Sequence, residues 1–302
     1  MESTRAASLA MVGSATSVAV GAAIGATVFP IVGPAGVVAL RQAVAAIATL
    51  AVARPRLRAI GWRRLRPAVL LGAVLVVMNL SLYASISRVG LGLAVTLEFL
   101  GPLAVALVGS RRRLDLACAL GAGLGVVLLT GTVAGLDPLG IAFGFVAAGA
   151  WAAYIVIGQR AALALPGLTA TAVANTAAAA ATSPLLVLAL IGLDPAELPR
   201  VLLVGVAVGL LCSALPYAID MWALRRVSRA RFGVLQSLHP AAATLFGFLI
   251  LGQTLTGWQL AGIALVMLSN VVATARPADA SGPPDAASPR PGSRRLRLGS
   301  GA

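Results

Sequence analysis

The chain has 302 residues, of which 59% are hydrophobic and 11% charged, and its mean hydropathy is +0.97. A soluble domain of this length does not have such a composition, so we expect a polytopic membrane protein. The net charge of +14 lies in short arginine clusters between apolar runs, without interleaved aromatic residues. This pattern argues against nucleic acid as a partner and is typical of topology signals.

Apolar segments of about 20 residues, the length that crosses a bilayer, follow one another with short links. A signal peptide is the alternative for the first segment, but the run is long and only Arg5 precedes it, so we expect a retained helix. Residues 276–302 are too poor in apolar residues to fold and are predicted to be a disordered cytoplasmic tail. The ten predicted segments are residues 8–29, 35–53, 67–87, 91–109, 114–132, 138–158, 168–191, 201–224, 232–251 and 258–275.

The fourth segment contains an isolated carboxylate, Glu98. A charged residue near the bilayer centre costs about 2.5 to 3.5 kcal/mol, so one that is present there usually faces a cavity or a partner. Pro102, four residues later, has no N–H to donate to the carbonyl of Glu98. The sequence therefore predicts a binding site here, although Glu98 could instead be a structural partner of Arg41 or Asn79.

The second half of the chain repeats this arrangement. A shift of 138 positions places Glu98 on Gln236 and Pro102 on Pro240. Such internal repeats are a signature of transporter folds, and five segments per half require the halves to enter the membrane in opposite senses. We therefore expect an all-α polytopic membrane protein of ten transmembrane helices in two inverted five-helix repeats, residues 8–132 and 138–275.

The arginines predict the orientation of the bundle. If the amino terminus is cytoplasmic, 20 arginines lie on the cytoplasmic side, while Arg88 and Arg200 lie outside and Arg41 lies within a segment. By the positive-inside rule both termini are then cytoplasmic.

Several residues keep two interpretations at this stage. Arg41 either extends to the near interface or forms a cationic wall of a cavity. His239, the only histidine, lines a cavity or makes a buried hydrogen bond, and Asp220 is more simply explained by an ion pair with cytoplasmic arginines. Cys118 and Cys212 lack the spacing of a metal or redox site. The glycines of GAGLGV, at 121, 123 and 125, lack the context of a dinucleotide fingerprint and predict close helix packing.

Five strings of the chain resemble a known family: FPIVGPAGVVALR, MNLSLYASISRVGLGLAVTLEFLGPLAVALVGSRRRLD, WAAYIVIGQRA, SALPYAIDMWALRR and FGVLQSLHPAAATLFGFLILGQTLTGWQL. They resemble the threonine/homoserine exporter branch of the EamA-type drug/metabolite transporters from about residue 8 to residue 275. The resemblance implies an inner-membrane transporter whose central cavity opens alternately to either side and exports small amino acids at the expense of the proton gradient. The chain departs from the branch at His239, Asp220 and Gln253, and it keeps Glu98. The loss of the carboxylates at positions 239 and 253 leaves the cargo open and reduces the number of candidate proton carriers.

A zwitterionic cargo needs partners of both signs. We expect Glu98 and the free carbonyls to receive the ammonium, and Arg41 with Gln42 or Asn79 to receive the carboxylate. Aromatic side chains would bound the cargo, although plain packing explains them as well. The predicted substrate-binding residues are Arg41, Gln42, Asn79, Tyr83, Glu98, Trp151, Tyr154, Tyr217, Gln236 and His239, and Glu98 is also predicted to couple protons.

Other functions remain as alternatives. A transporter of the same fold could move drugs or other metabolites. An enzyme needs a nucleophile with a base or a set of metal ligands, and one histidine with scattered acids supplies neither. We therefore expect no enzymatic activity, cofactor or metal, and we expect a small molecule, protons and the lipid bilayer as partners, with the oligomeric state left open.

Overall fold

The computed structural model describes residues 2–55, 60–108, 113–130, 137–166, 168–223, 236 and 238–274. These residues form helices joined by short links, and they contain no strand. A π-helical turn, Leu210–Ala214, separates the ninth and tenth helices. The α-helices are α1 Glu2–Ala26, α2 Phe29–Ala53, α3 Trp62–Val89, α4 Leu91–Glu98, α5 Leu100–Leu107, α6 Arg113–Thr130, α7 Pro138–Ala164, α8 Thr169–Leu190, α9 Leu198–Gly209, α10 Leu215–Ala223, α11 His239–Leu251 and α12 Gly257–Thr274.

Within these described ranges, six helical stretches are long and apolar enough to cross a membrane, and four shorter apolar helices accompany them. Large apolar side chains such as Leu163 and Val108, exposed to 84% and 81%, point outward, as expected where the solvent is lipid. The chain is an all-helical, multi-pass membrane protein. The predicted tail and the arginines at 225–231 lie outside the described residues.

The structure extends the predicted third segment back to Trp62 and the sixth on to Ala164, and it also corrects three others. The fourth is not continuous, because it breaks at Phe99 into α4 and α5. The eighth begins at Leu198 and contains the π-helical turn. The second begins at Phe29 instead of residue 35, and Gly33, whose φ of 67° disfavours a side chain, interrupts its first turns.

The helices pack in a regular set of pairs. The most extensive contacts join α3 to α7, α2 to α8 and α6 to α12. In addition, α3 packs on α8 and α2 packs on α9 and the π-helical turn, while α4 and α5 pack on α7 and α1 packs on α11. Every residue of the short helix α4 is buried, so Glu98 lies inside the bundle.

The first helix is part of this bundle. The hydroxyl of Ser17 donates to the carbonyl of Leu211 at 2.8 Å, and the thiol of Cys212 donates to the carbonyl of Val18 at 3.3 Å. A Cβ atom added to Gly21 would lie 2.5 Å from the sulfur of Cys212. Such close contacts place α1 against the π-helical turn.

Small residues bring α6 and α12 together. A Cβ atom on Gly262 would meet the carbonyl oxygen of Gly125 at 2.6 Å, and one on Gly121 would meet the hydroxyl oxygen of Ser269 at 2.9 Å. The prediction of close packing is therefore confirmed for Gly121 and Gly125. It is wrong for Gly123, which has no atom within 4 Å of its added Cβ because it faces away from α12.

Three links meet on one face of the bundle. Arg88 at the end of α3 forms an ion pair with Asp137, whose side chain also caps α7 by accepting from the N–H of Leu139 at 2.8 Å. The hydrogen bond from Arg88 lowers the pKa of Asp137. On the same face, Gln253 accepts from the N–H of Leu91 at 2.9 Å, directly after Gly90, whose φ is 87°. The α3–α4 link, the start of α7 and the α11–α12 link thus share one side of the bundle.

Candidate functional site

Arg41 is the cation inside the bundle. It lies midway along α2, and its side chain is 5% exposed. Its Nε donates to the hydroxyl oxygen of Ser213 at 2.7 Å, and one terminal nitrogen, Nη2, donates to the carbonyl of Cys212 at 2.7 Å. The guanidinium also lies over the ring of Tyr83, 5.6 Å from its centroid. Arg41 therefore lies inside the bundle and does not extend to the interface, while its role as the cationic wall of a cavity stays a prediction.

The acceptors for Arg41 come from the π-helical turn. Pro216 lies four residues after Cys212 and has no N–H to donate to the carbonyl of that residue. The carbonyl is therefore available to a side chain, and π-helical turns of this kind occur frequently at functional sites. Ser213 is fully buried, so its hydroxyl oxygen is shielded from water.

Glu98 supplies the opposite charge. It is the last residue of α4 and is 6% exposed. It lies in the same part of the interior as Arg41 and Tyr217. Among the described contacts, however, Glu98 and Arg41 form no direct ion pair. The interior therefore holds a guanidinium and a carboxyl group that are not in direct contact.

The two broken segments meet through aromatic rings. Phe99, at the break after Glu98, stacks on His239 with 5.9 Å between ring centroids, and it meets Trp151 edge-on at 4.8 Å. The Nε2 atom of His239 forms a hydrogen bond with Oε1 of Gln236 at 2.8 Å. Trp151 and His239 are 6.1 Å apart. The structure thus brings together the residues at the two prolines, Pro102 and Pro240.

A second aromatic group lies beside this one. The rings of Tyr154 and Tyr217 are 6.1 Å apart, and both pack in a cluster of α3, α7 and α8 side chains. Tyr217 also adjoins Asn79, whose side-chain amide donates to the carbonyl of Leu75 at 2.7 Å in its own helix. Asp220 lies near Tyr154 and Gln236. Its predicted arginine partners lie outside the described residues.

Gln42 does not join these groups. It follows Arg41 directly and so points about 100° further around α2. Its side chain is fully buried, and its amide atoms have no hydrogen-bond partner among the described residues. The other nine predicted residues lie on or next to α2, α3, α4, α7, α10 and α11; six of them are buried, and Trp151, Tyr154 and His239 are half-buried. The described residues contain no group of three histidine, cysteine or acidic side chains that could hold a metal ion.

Comparison with known proteins identifies the family. The profile of the EamA-like transporter family matches residues 138–275. The threonine/homoserine exporter RhtA of Salmonella typhimurium strain SL1344 is 38% identical over 263 residues, which span 86% of this chain and 88% of that protein. RhtA of Escherichia coli strain K12 is 39% identical over 258 residues, 84% of this chain and 86% of that protein. The chain belongs to the EamA-like transporter family.

A protein of known crystal structure has the same fold. It superposes with a TM-score of 0.59 at 23% identity, over 89% of this chain and 96% of the other. Membership of the EamA-like family makes the protein a transporter and not an enzyme, in agreement with the sequence analysis.

Three residues of the candidate site were not among those predicted from the sequence. Phe99 occupies the break between Glu98 and Pro102, and Cys212 and Ser213 hold Arg41. A signal for Cys212 was present, because Pro216 stands four residues later, as Pro102 does after Glu98. The departure at Gln253 has a structural explanation, since its side chain satisfies the first N–H of α4.

Proposed function

We propose that this protein exports small amino acids of the threonine and homoserine type across the inner membrane by proton antiport. The relatives named as threonine/homoserine exporters cover most of the chain. The observation that carries the proposal is the buried guanidinium of Arg41 together with the buried carboxyl group of Glu98, within one bundle and not in direct contact.

These charges match the two ends of an amino-acid zwitterion. Arg41 binds the carboxylate of the cargo, because a guanidinium offers paired N–H donors to a carboxylate. Glu98 binds the ammonium when it is ionised and carries a proton in the return step. The absence of a direct ion pair between them, among the described contacts, leaves both groups available to a ligand.

The other interior residues bound the cargo side chain. Trp151, His239 and Phe99 form one wall, and Tyr83, Tyr154 and Tyr217 contribute the rings on the other side. Asn79 and Gln236 supply amide groups. A long charged cargo would need a further buried partner, so small neutral or hydroxylated amino acids fit best.

Alternating access follows in this proposal from two inverted repeats, residues 8–132 and 138–275. The helix pairs support the repeat, because a two-fold exchange of the halves converts the contact of α3 with α7 into that of α9 and α10 with α1. The same exchange converts the contact of α4 and α5 with α7 into that of α11 with α1. Both termini are proposed to be cytoplasmic, from the distribution of arginines.

The test is protection of cells against a toxic excess of cargo. Overexpression should allow growth in excess threonine or homoserine, and Arg41→Ala or Glu98→Ala should remove the protection at equal levels of inserted protein. Protection that extends to bulky cationic dyes and survives both substitutions would replace this proposal with drug efflux.

A further inference from the structure

The guanidinium of Arg41 uses only one of its edges in the structure. An arginine has five N–H donors, arranged as a side edge, Nε with one terminal nitrogen, and an end edge between the two terminal nitrogens. The side edge is occupied, because Nε donates to Ser213 and Nη2 donates to the carbonyl of Cys212, each at 2.7 Å. No described hydrogen bond uses the Nη1 atom.

We propose that Ser213 and the π-helical turn Leu210–Ala214 position Arg41 so that its end edge binds the cargo carboxylate. Ser213 is in this proposal a positioning residue that sets the preference for cargoes with a free carboxylate. The inference rests on the proposed export of amino acids and adds to it a residue that acts through Arg41.

The π-helical turn fits this role because both acceptors lie on one short stretch. The carbonyl of Cys212 is free of an i+4 donor since Pro216 has no N–H. Ser213 is fully buried, so water does not compete for its hydroxyl oxygen. The ring of Tyr83, 5.6 Å from the guanidinium carbon, limits movement out of the guanidinium plane.

A fixed guanidinium discriminates by geometry. The two oxygens of a carboxylate accept hydrogen bonds from both nitrogens of the end edge. A carboxamide has only one oxygen acceptor, and its NH₂ group cannot accept from the second nitrogen of Arg41 because both are donors. Because the side chain of Arg41 is already held in place before the cargo arrives, binding does not carry the entropy cost of ordering it. Loss of Ser213 therefore weakens the binding of carboxylates more than the binding of carboxamides.

The experiment compares two serine substitutions in the full-length protein in proteoliposomes. The variant is Ser213→Ala, and the matched control is Ser85→Ala, because Ser85 is also fully buried and its hydroxyl donates at 2.7 Å to Gly140 between α3 and α7. The readouts are KM for threonine export and the inhibition constant of threonine carboxamide. We expect Ser213→Ala to raise KM about tenfold, the size of one hydrogen bond to a charged group. The inhibition constant of threonine carboxamide should change less than twofold. Ser85→Ala should change neither the KM for threonine nor this inhibition constant.

Two further variants test the proposal even if Ser213→Ala does not insert into the membrane. Ser213→Thr keeps the hydroxyl and should retain the carboxylate preference, while Ser213→Cys, a weaker acceptor, should lower it.

Two results would overturn the inference. One is an equal change of KM and of the carboxamide inhibition constant in Ser213→Ala or Ser213→Cys. The other is a full carboxylate preference in those variants. Both differ from a failure of the proposed function, in which the unaltered protein transports neither threonine nor homoserine.

Discussion

Arg41 is a cation held inside an apolar bundle at a defined orientation. A buried charge is costly unless it is paired and hydrogen-bonded, and two acceptors with one aromatic face compensate Arg41. The sequence located the arginine within a segment but left its direction open, because hydropathy does not report which way a side chain points. Only the packing of α2 against the π-helical turn decides it.

At the scale of single residues, the titratable carboxyl group of Glu98 leads to a testable prediction. A carboxyl group can take up and release a proton, whereas the amide of glutamine keeps the size and most hydrogen bonds but cannot titrate. We expect Glu98→Gln to lower the rate of gradient-driven threonine export more than tenfold. Exchange of labelled for unlabelled threonine across the membrane should persist. Flux assays with the inserted protein quantified on the same membranes measure both activities.

Glu197→Gln is the matched control, because Glu197 lies on an exposed link beside Arg200. That variant should export as the unaltered protein does. Gradient-driven export at the normal rate in Glu98→Gln would show that Glu98 carries no proton.

At the scale of elements, proline spacing explains much of what the sequence could predict. The missing N–H of each proline explains why α4 ends at Glu98, before Pro102, and agrees with the start of α11 at His239, next to Pro240. The same rule at Pro216 would have indicated the free carbonyl of Cys212. The π-helical turn itself has no such signal, since one extra residue in a continuous apolar run leaves the hydropathy pattern unchanged.

The contact between α6 and α12 gives the second prediction. A Cβ atom on Gly262 would lie 2.6 Å from the carbonyl oxygen of Gly125 and 2.9 Å from the side chain of Leu129. Gly262→Ala should therefore lower the free energy of unfolding by about 1–3 kcal/mol, since the helices must separate. Thermal unfolding of the purified protein in detergent measures the change.

Gly123→Ala is the control on the same helix. No atom lies within 4 Å of its added Cβ, so the substitution should be neutral or stabilising by roughly 0.5–1 kcal/mol through helix propensity. Equal stability of the two variants would mean that α6 and α12 do not approach as closely as described.

At the scale of the whole molecule, composition predicted the class, an all-helical multi-pass membrane protein, because the bilayer sets the length and polarity of its helices. The arrangement of the segments could not be predicted in this way, since every apolar face is equally suited to lipid or to another helix. We propose that the paired contacts, α3 with α7 and α9 with α1, reflect inverted halves whose relative movement exposes Arg41 and Glu98 to either side.

The most direct test of this account is threonine uptake by the purified protein in proteoliposomes under an imposed pH gradient. With an acidic interior, protons leave and an antiporter must carry cargo inward, so we predict accumulation of threonine above its external concentration. An ionophore that collapses the gradient should abolish this accumulation, and an alkaline interior should not produce it. Accumulation only with an alkaline interior, or uptake that ignores the gradient, would contradict proton antiport.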